Sequence, residues 1–233
     1  MAGRSFDDFD AYAKEYRQTH TANIKISGAD SFYFAEMKVK LLKPFENNVP
    51  LRMLDVGCGD GTTEMYINTH FPSWEIVAID TSEKSIEEAK HKKIFNCTFL
   101  HYDGRNIPFE TGSFDLVFLA GVLHHIDPSL HSNLIKEIQR VLKPRGRFYL
   151  FEHNPINPLT RHLVNTCVFD NEAKLLKSSY AGSLLTTGFQ IKKKKFIIFF
   201  PRKGILSKLI FLEKYLQWLP LGGQYFIAAA KKS

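Results

Sequence analysis

The apolar positions of this chain fall into two rhythms that alternate along its length. Short, nearly unbroken runs have the length and residue types of strands buried on both faces: Met53-Leu54 with Val56, Trp74 to Ile79, Cys97 to Leu100, Phe114 to Leu119, and Arg147 to Phe151. The stretches between them read as helices. One runs to about His70 with Met65 and Ile67, and one is capped by Thr81 or Ser82 and runs through Ala89 towards Phe95. A third opens at Asp127-Pro128-Ser129, carries Leu130, Leu134, Ile138 and Val141-Leu142 on its apolar face, and stops at Lys143-Pro144-Arg145-Gly146. Strands alternating with helices long enough to be crossovers predict a parallel sheet covered on both faces.

The two ends of the chain add to this core. Phe6 to Thr19 reads as a helix, with Phe9, Tyr12, Ala13 and Tyr16 on one face; Asn23 to Gly28 is a linker; a second helix spans Asp30 to about Lys43. These two helices form a cap over residues 1–48, leaving 49–233 as the main domain, with a core at 50–155 and a further segment at 156–233. In that segment, Leu159 to Phe169 and Glu172 to Thr186 read as helices and Phe189 to Phe199 as a strand interrupted by Lys192 to Lys195. An apolar-basic helix from Ile205 to Trp218 follows, and then a strand from Gln224 to Ala230 that pairs with its predecessor as an antiparallel edge.

Candidate chemistry gathers where the parallel strands end, because ligands of such sheets lie beyond the carboxyl ends of the strands. Those ends carry Asp55 to Gly61, Asp80, Asp103, Leu119 to Gly121, and Glu152 to Asn154. Gly57, Gly59 and Gly61 stand at alternate positions after the first strand, giving a backbone that a ligand can approach closely. The spacing is not the G-x-G-x-x-G of dinucleotide binders. Asp55 and Asp60 beside the turn repel a pyrophosphate and suit a cation. Asp80 is placed to accept hydrogen bonds from ribose hydroxyls, and Asp103 to accept from an exocyclic adenine amine. The implied ligand is an adenosine bearing a positive group in place of phosphates.

At these residues the sequence resembles the class I S-adenosylmethionine-dependent methyltransferases. The resemblance is carried by Leu-Asp-Val-Gly-Cys-Gly-Asp-Gly (54–61), Asp80, Asp103, Phe-Asp-Leu-Val-Phe-Leu-Ala-Gly-Val-Leu-His-His-Ile (114–126) and Arg-Val-Leu-Lys-Pro-Arg-Gly-Arg-Phe (140–148). It implies a Rossmann-like α/β fold: a seven-stranded, mostly parallel sheet with an antiparallel C-terminal edge, helices on both faces and an N-terminal helical cap. It implies S-adenosyl-L-methionine as cofactor, held by Asp55, Gly57, Cys58, Gly59, Gly61, Asp80, Thr81, Asp103, Gly104, Leu119, Ala120 and Gly121. In that scheme the glycine turn meets the methionine part, and Leu119-Ala120-Gly121 lies beneath the sulfonium. Cys58 is expected as a small buried filler of the turn, and Asp115 as a structural residue.

Methyl transfer from a sulfonium needs alignment above all, and a base only when the acceptor is a neutral hydroxyl or similar group. The candidates for such a base are His124, Glu152 and His153, with His125 beside them; Glu152 and His153 are expected at the acceptor edge. Packing at a helix start is the competing explanation for the two adjacent histidines. No metal site is expected, since no acidic residue stands at an H-E-x-x-H spacing.

Composition changes the picture in one respect. The hydrophobic and charged fractions, 44% and 24%, are those of an ordinary globular protein. No run is long enough to span a bilayer, residues 1–8 have no apolar signal core, and three scattered cysteines fit a reducing cytoplasm. The net charge of +7, however, is concentrated. Residues 161–233 carry thirteen Lys and Arg against three Asp and Glu. Lysines beside bulky apolar residues suit an anionic membrane surface or a lipid phosphate. The competing explanation, an edge strand guarded by lysines and a helix packed on the sheet, is the expectation for the helix's apolar face. Glu152 to Thr160 and Leu219 to Tyr225 bear a faint similarity to family members of surface-glycan or lipid-linked sugar biosynthesis. The expected acceptor is therefore a small molecule, a sugar or a lipid-linked group, with the protein cytoplasmic or membrane-associated. The alternatives are a nucleic-acid methyltransferase or binder, which lacks an Asn-Pro-Pro-Tyr-type motif here, and a non-catalytic cofactor-binding member.

Overall fold

The computed structural model describes residues 31–167 and 173–232. The helix expected at Phe6 to Thr19 and the linker after it lie outside the described residues. Seven strands form one sheet: β1 (Arg52–Val56), β2 (Glu75–Asp80), β3 (Cys97–His101), β4 (Phe114–Ala120), β5 (Leu142–His153), β6 (Phe189–Ile197) and β7 (Gln224–Lys231). Their order is β3-β2-β1-β4-β5-β7-β6. The first five run parallel, and β7 lies antiparallel between β5 and β6. The described architecture is thus the mixed, doubly covered sheet that the apolar pattern predicts.

Strand direction fixes which helix covers which face. The crossovers α2 (Thr62–His70) and α3 (Glu83–His91) lead from β1 outward to β3, and α4 (Pro128–Val141) leads the other way, from β4 to β5. Right-handed crossovers travelling in opposite directions put their helices on opposite faces. On one face Leu54, Val56, Val77, Val117, Leu119 and Phe148 pack against Leu134 and Ile138 of α4, and against Ala181 and Leu185 of α6 (Ser178–Leu185). On the other, Met53, Ile76, Phe118, Tyr149 and Phe151 pack against Ile67 of α2 and against Val39 and Leu42, at and just beyond α1 (Ser31–Lys40). Period-two alternation along each strand thus feeds two cores at once. Asp55, two residues after Met53, points to the α1/α2 face.

Helix starts follow the capping chemistry. Ser82, not Thr81, caps α3 by accepting from the Ser85 amide at 3.1 Å. Asp127 accepts from the Ser129 amide at 2.9 Å ahead of Pro128 in α4. Asn157 accepts from the Thr160 amide at 2.9 Å to start α5 (Pro158–Thr166).

Three expectations are corrected. Lys143 to Gly146 is not a terminator outside the sheet, because β5 begins at Leu142 and holds these residues in an irregularity. Leu142 pairs with Phe114 and Arg147 with Leu116, so the intervening residues bulge, with Arg145 at φ 59°. The helix expected from Glu172 begins, among the described residues, only at Ser178. Residues 205–218 are not one packed helix: Ile205–Leu212 is a 3₁₀ segment and α7 (Glu213–Leu216) is a single turn, and neither buries a residue. The edge strand β6, by contrast, carries exposed lysines from Lys192 to Lys194 as expected.

Candidate active site

The three glycines after β1 all adopt left-handed backbone, and each answers a different demand. A side chain at Gly57 would run into Val122, so this glycine lets the turn after β4 close against the turn after β1. At Gly61, a Cβ would lie 2.9 Å from Phe99 and 3.0 Å from Ala89, so it lets α2 start hard against α3 and β3. Nothing lies within 4 Å of a Cβ at Gly59. The middle glycine therefore faces open space, where a ligand can meet bare backbone.

Carboxylates surround that space. Asp80, at the end of β2, accepts from the Gly59 amide at 2.8 Å and from the Ser82 amide at 2.9 Å, which ties the glycine turn to the neighbouring strand end. Burial raises its pKa against the opposing pull of these bonds. Asp55 is buried beneath the turn, and burial pushes it up to about 6. Its partner is Glu64 of α2, wholly buried and pushed well above the usual carboxylate range by burial, with the Asp55 charge adding to the shift. Asp55 Oδ1 and both Glu64 oxygens meet no donor among the described residues, which suits one proton held between the two acids. Lys38 of α1 is partly exposed, and desolvation pulls its pKa down against the charges of Glu152 and Asp55.

Asp60 does not join this group. Its carboxylate pairs with Lys92 at 2.9 Å, and the same ammonium donates to the Asp60 carbonyl and to Thr62 Oγ1. The expectation that Asp60 favours a cationic ligand is therefore corrected: Lys92, just past the end of α3, already neutralises it. Cys58 turns its side chain into the cluster of Ala78, Ile86, Ala89 and Phe99, and burial pushes its thiol far up. Only its backbone faces the site. Asp103 is exposed and accepts from the Arg105 and Asn106 amides at 2.8 and 3.0 Å, bonds that hold its pKa down and shape the turn at Gly104. Thr81 is partly buried, with its carbonyl 3.2 Å from His101 Nε2. Leu119 is fully buried with its side chain in the core, so it can offer only backbone, whereas Ala120 and Gly121 are partly exposed.

Glu152 is the larger correction. The sequence places it at an acceptor edge, yet it is buried, with its oxygens engaged by the turn after β4. Oε1 accepts from the Val122 and Leu123 amides at 3.1 and 2.7 Å, and Oε2 lies 2.6 Å from His124 Nδ1. A carboxylate that already accepts two amides fits an Nδ1–H donor on His124. Its chemistry is to fasten that imidazole, not to meet an acceptor. The Cε1 edge of His124 lies 3.6 Å from where a Cβ on Gly121 would stand. The rings of His125 and His153 lie 4.1 and 5.2 Å from that of His124, so the candidate bases do come together. Glu64 and Lys38 were missed. Glu64 reads as an ordinary first-turn acid and Lys38 as one of several helix lysines; only the packing of α1 and α2 over β1 sets them apart.

A family model described as a methyltransferase domain matches residues 53–146. An uncharacterized methyltransferase of Synechocystis is 29% identical over 181 residues, covering 74% of this chain and 80% of its own. The demethylmenaquinone methyltransferase of Lactococcus lactis is 32% identical over 153 residues, covering 63% of this chain and 60% of its own. Over residues 53–146 the chain is thus similar to methyltransferase domains, and its sheet has the fold of the class I S-adenosylmethionine-dependent methyltransferases. A Thermotoga maritima structure, a methyltransferase of this cofactor described as a possible histamine N-methyltransferase, superposes with a TM-score of 0.70 at 18% identity. It covers 98% of this chain and the whole of its own, which shows the fold.

The cofactor of the proteins this chain resembles, S-adenosylmethionine, fits the residues present. Its sulfonium and ammonium suit the carboxyl-rich ground formed by Asp55, Glu64 and Asp80, and no atom lies within 4 Å of a Cβ at Gly59 to bar its approach to the turn.

Proposed function

We propose that the protein transfers a methyl group from S-adenosylmethionine to a small-molecule acceptor, of the sugar, lipid-linked or quinone-like class, through a nucleophilic oxygen or carbon. The observation that carries this reading is the His124 ring, 3% exposed, fastened by Glu152 at 2.6 Å and with its Cε1 edge turned toward Gly121. The cofactor, when bound, supplies a methyl group already activated on a sulfonium, so the protein's contribution is alignment, exclusion of water and handling of one proton. Asp80 and the Gly59 backbone hold and orient. His124 receives the acceptor's proton at Nε2, with Glu152 stabilising the imidazolium through Nδ1. His153 borders the acceptor side. The 32% identity to a demethylmenaquinone methyltransferase supports a small acceptor over a nucleic acid.

The test has two stages. Calorimetry with S-adenosylmethionine and S-adenosylhomocysteine comes first, and both are expected to bind. Methyl-labelled cofactor is then incubated with fractionated cell extract, and label is expected in the small-molecule or lipid fraction; label in RNA or DNA alone would refute the reading. With the acceptor in hand, His124→Ala is expected to lower kcat by about 100-fold or more while cofactor affinity holds. An unchanged kcat would remove the base.

A further inference from the structure

From Pro201 to Leu221 no residue is buried, although the stretch contains Ile205, Leu206, Phe211, Tyr215, Trp218 and Leu221. Ile205 is 80% exposed, Trp218 75%, Phe211 64% and Tyr215 63%. A segment this apolar normally hides a face in the core. This one is held by polar and backbone anchors instead. Glu213 accepts from the Phe199 and Phe200 amides at 3.0 and 3.1 Å, and Phe196 donates to the Gln217 carbonyl at 2.8 Å. Asn154 donates to the Pro220 and Gly222 carbonyls at 3.1 and 2.8 Å, and Asn157 to Leu221 at 2.6 Å. The large apolar side chains are thus free to face outward on a fixed support.

The charge on the same segment is of one sign. Arg202, Lys203, Lys208 and Lys214 stand against the single carboxylate of Glu213, which is occupied by two amides and by Arg202 at 3.9 Å. Lys203, Lys208 and Lys214 are exposed. The segment's place in the sheet is equally specific. Ile197, where β6 leads into it, is level with Gln224 of β7, which is level with His153 of β5. Two strand spacings, about 10 Å, separate that exit from the histidine group.

We infer that residues 201–221 form a docking surface for an anionic lipid bilayer, set beside the acceptor side of the active site. Exposed Trp and Tyr among aliphatic residues suit the boundary between headgroups and acyl chains, and the exposed lysines complement anionic headgroups. The inference rests on the exposure, charge and placement of the segment and not on the acceptor class proposed above.

The test uses the full chain with phosphatidylcholine vesicles, and with vesicles in which part of that lipid is replaced by phosphatidylglycerol. The protein is expected to sediment with the anionic vesicles, to be released by high salt, and to ignore the neutral ones. Of the two tryptophans, Trp74 is fully buried, so a blue shift of emission on vesicle addition reports Trp218. Replacing Lys203, Lys208 and Lys214 by Gln is expected to weaken binding about 100-fold. Phe211→Ser with Trp218→Ser is expected to abolish it, with cofactor affinity in calorimetry showing that the fold and site remain. Should that pair fail to fold, the lysine variant, altered only at exposed positions, decides. Wild-type protein left in solution with anionic vesicles at low salt would overturn the inference, as would lysine-variant binding equal to wild type. A dimer by light scattering that the Ser pair converts to monomer, without vesicle binding, would assign the face to a second copy and equally overturn it.

Discussion

At the residue scale the glycine turn separates two roles that look alike in sequence. Gly61→Ala forces a Cβ to 2.9 Å from Phe99 in left-handed backbone, a cost of about 1–3 kcal/mol from the overlap alone. Gly59→Ala meets no atom and costs only the backbone strain, about 1–2 kcal/mol, yet its methyl enters the open space proposed above for the cofactor. Thermal denaturation is expected to rank Gly61→Ala as the less stable, and calorimetry to show Gly59→Ala losing about tenfold or more in cofactor affinity. The buried pair of Asp55 and Glu64 makes a second prediction. Both pKa values are raised on folding, so between the ordinary carboxylate range and about 6 the folded protein holds protons that the unfolded chain has released. Stability must therefore fall as pH rises through that window. Glu64→Gln keeps a donor for Asp55 without the second charge. Its melting temperature is expected to exceed wild type at pH 8, by the equivalent of about 1–3 kcal/mol, and to match it at pH 4. A difference that does not vary with pH would show that the acids do not share a proton. The glycines and Asp80 were legible because their meaning is local. Glu64 was not, since a carboxyl in the first turn of a helix ordinarily complements the dipole from solvent.

At the element scale, α4 does more than cover a face. Arg140 donates to the Phe109 and Ile107 carbonyls at 2.6 and 2.8 Å, and Glu137 accepts from the Ile107 amide at 3.1 Å. The connection from β3 to β4, which carries Asp103 near its start, is thereby clamped to the helix. Arg140→Leu is expected to lower stability by about 1.5–3 kcal/mol and to make the 104–112 stretch the first site of limited proteolysis. Cofactor affinity should fall with it, because Asp103 loses its fixed turn. The start of β5 was misread because Lys-Pro-Arg-Gly has the residues of a helix stop, and it is one, but the strand takes it up as a bulge. The 205–218 segment was misread for the opposite reason. Its apolar spacing promised a buried face, and spacing says nothing about whether a partner surface within the chain exists.

At the scale of the whole molecule, the parallel core was readable from apolar runs because a doubly covered strand must be apolar throughout. The acceptor side is built from less periodic sequence, where long-range anchors such as Asn154 to Pro220 decide the shape. No helix among the described residues is long and apolar enough to cross a membrane. The strand order carries a further consequence. β7 occupies an interior place between β5 and β6, although both precede it in the chain. During synthesis, β5 and β6 emerge from the ribosome with no hydrogen-bonding partner for their facing edges, and the sheet closes only once residues 224–231 have cleared the exit tunnel. Nascent chains stalled just after Gly223 should therefore remain protease-sensitive and recruit chaperones, and become resistant in one step when the stall is moved far enough downstream to release β7.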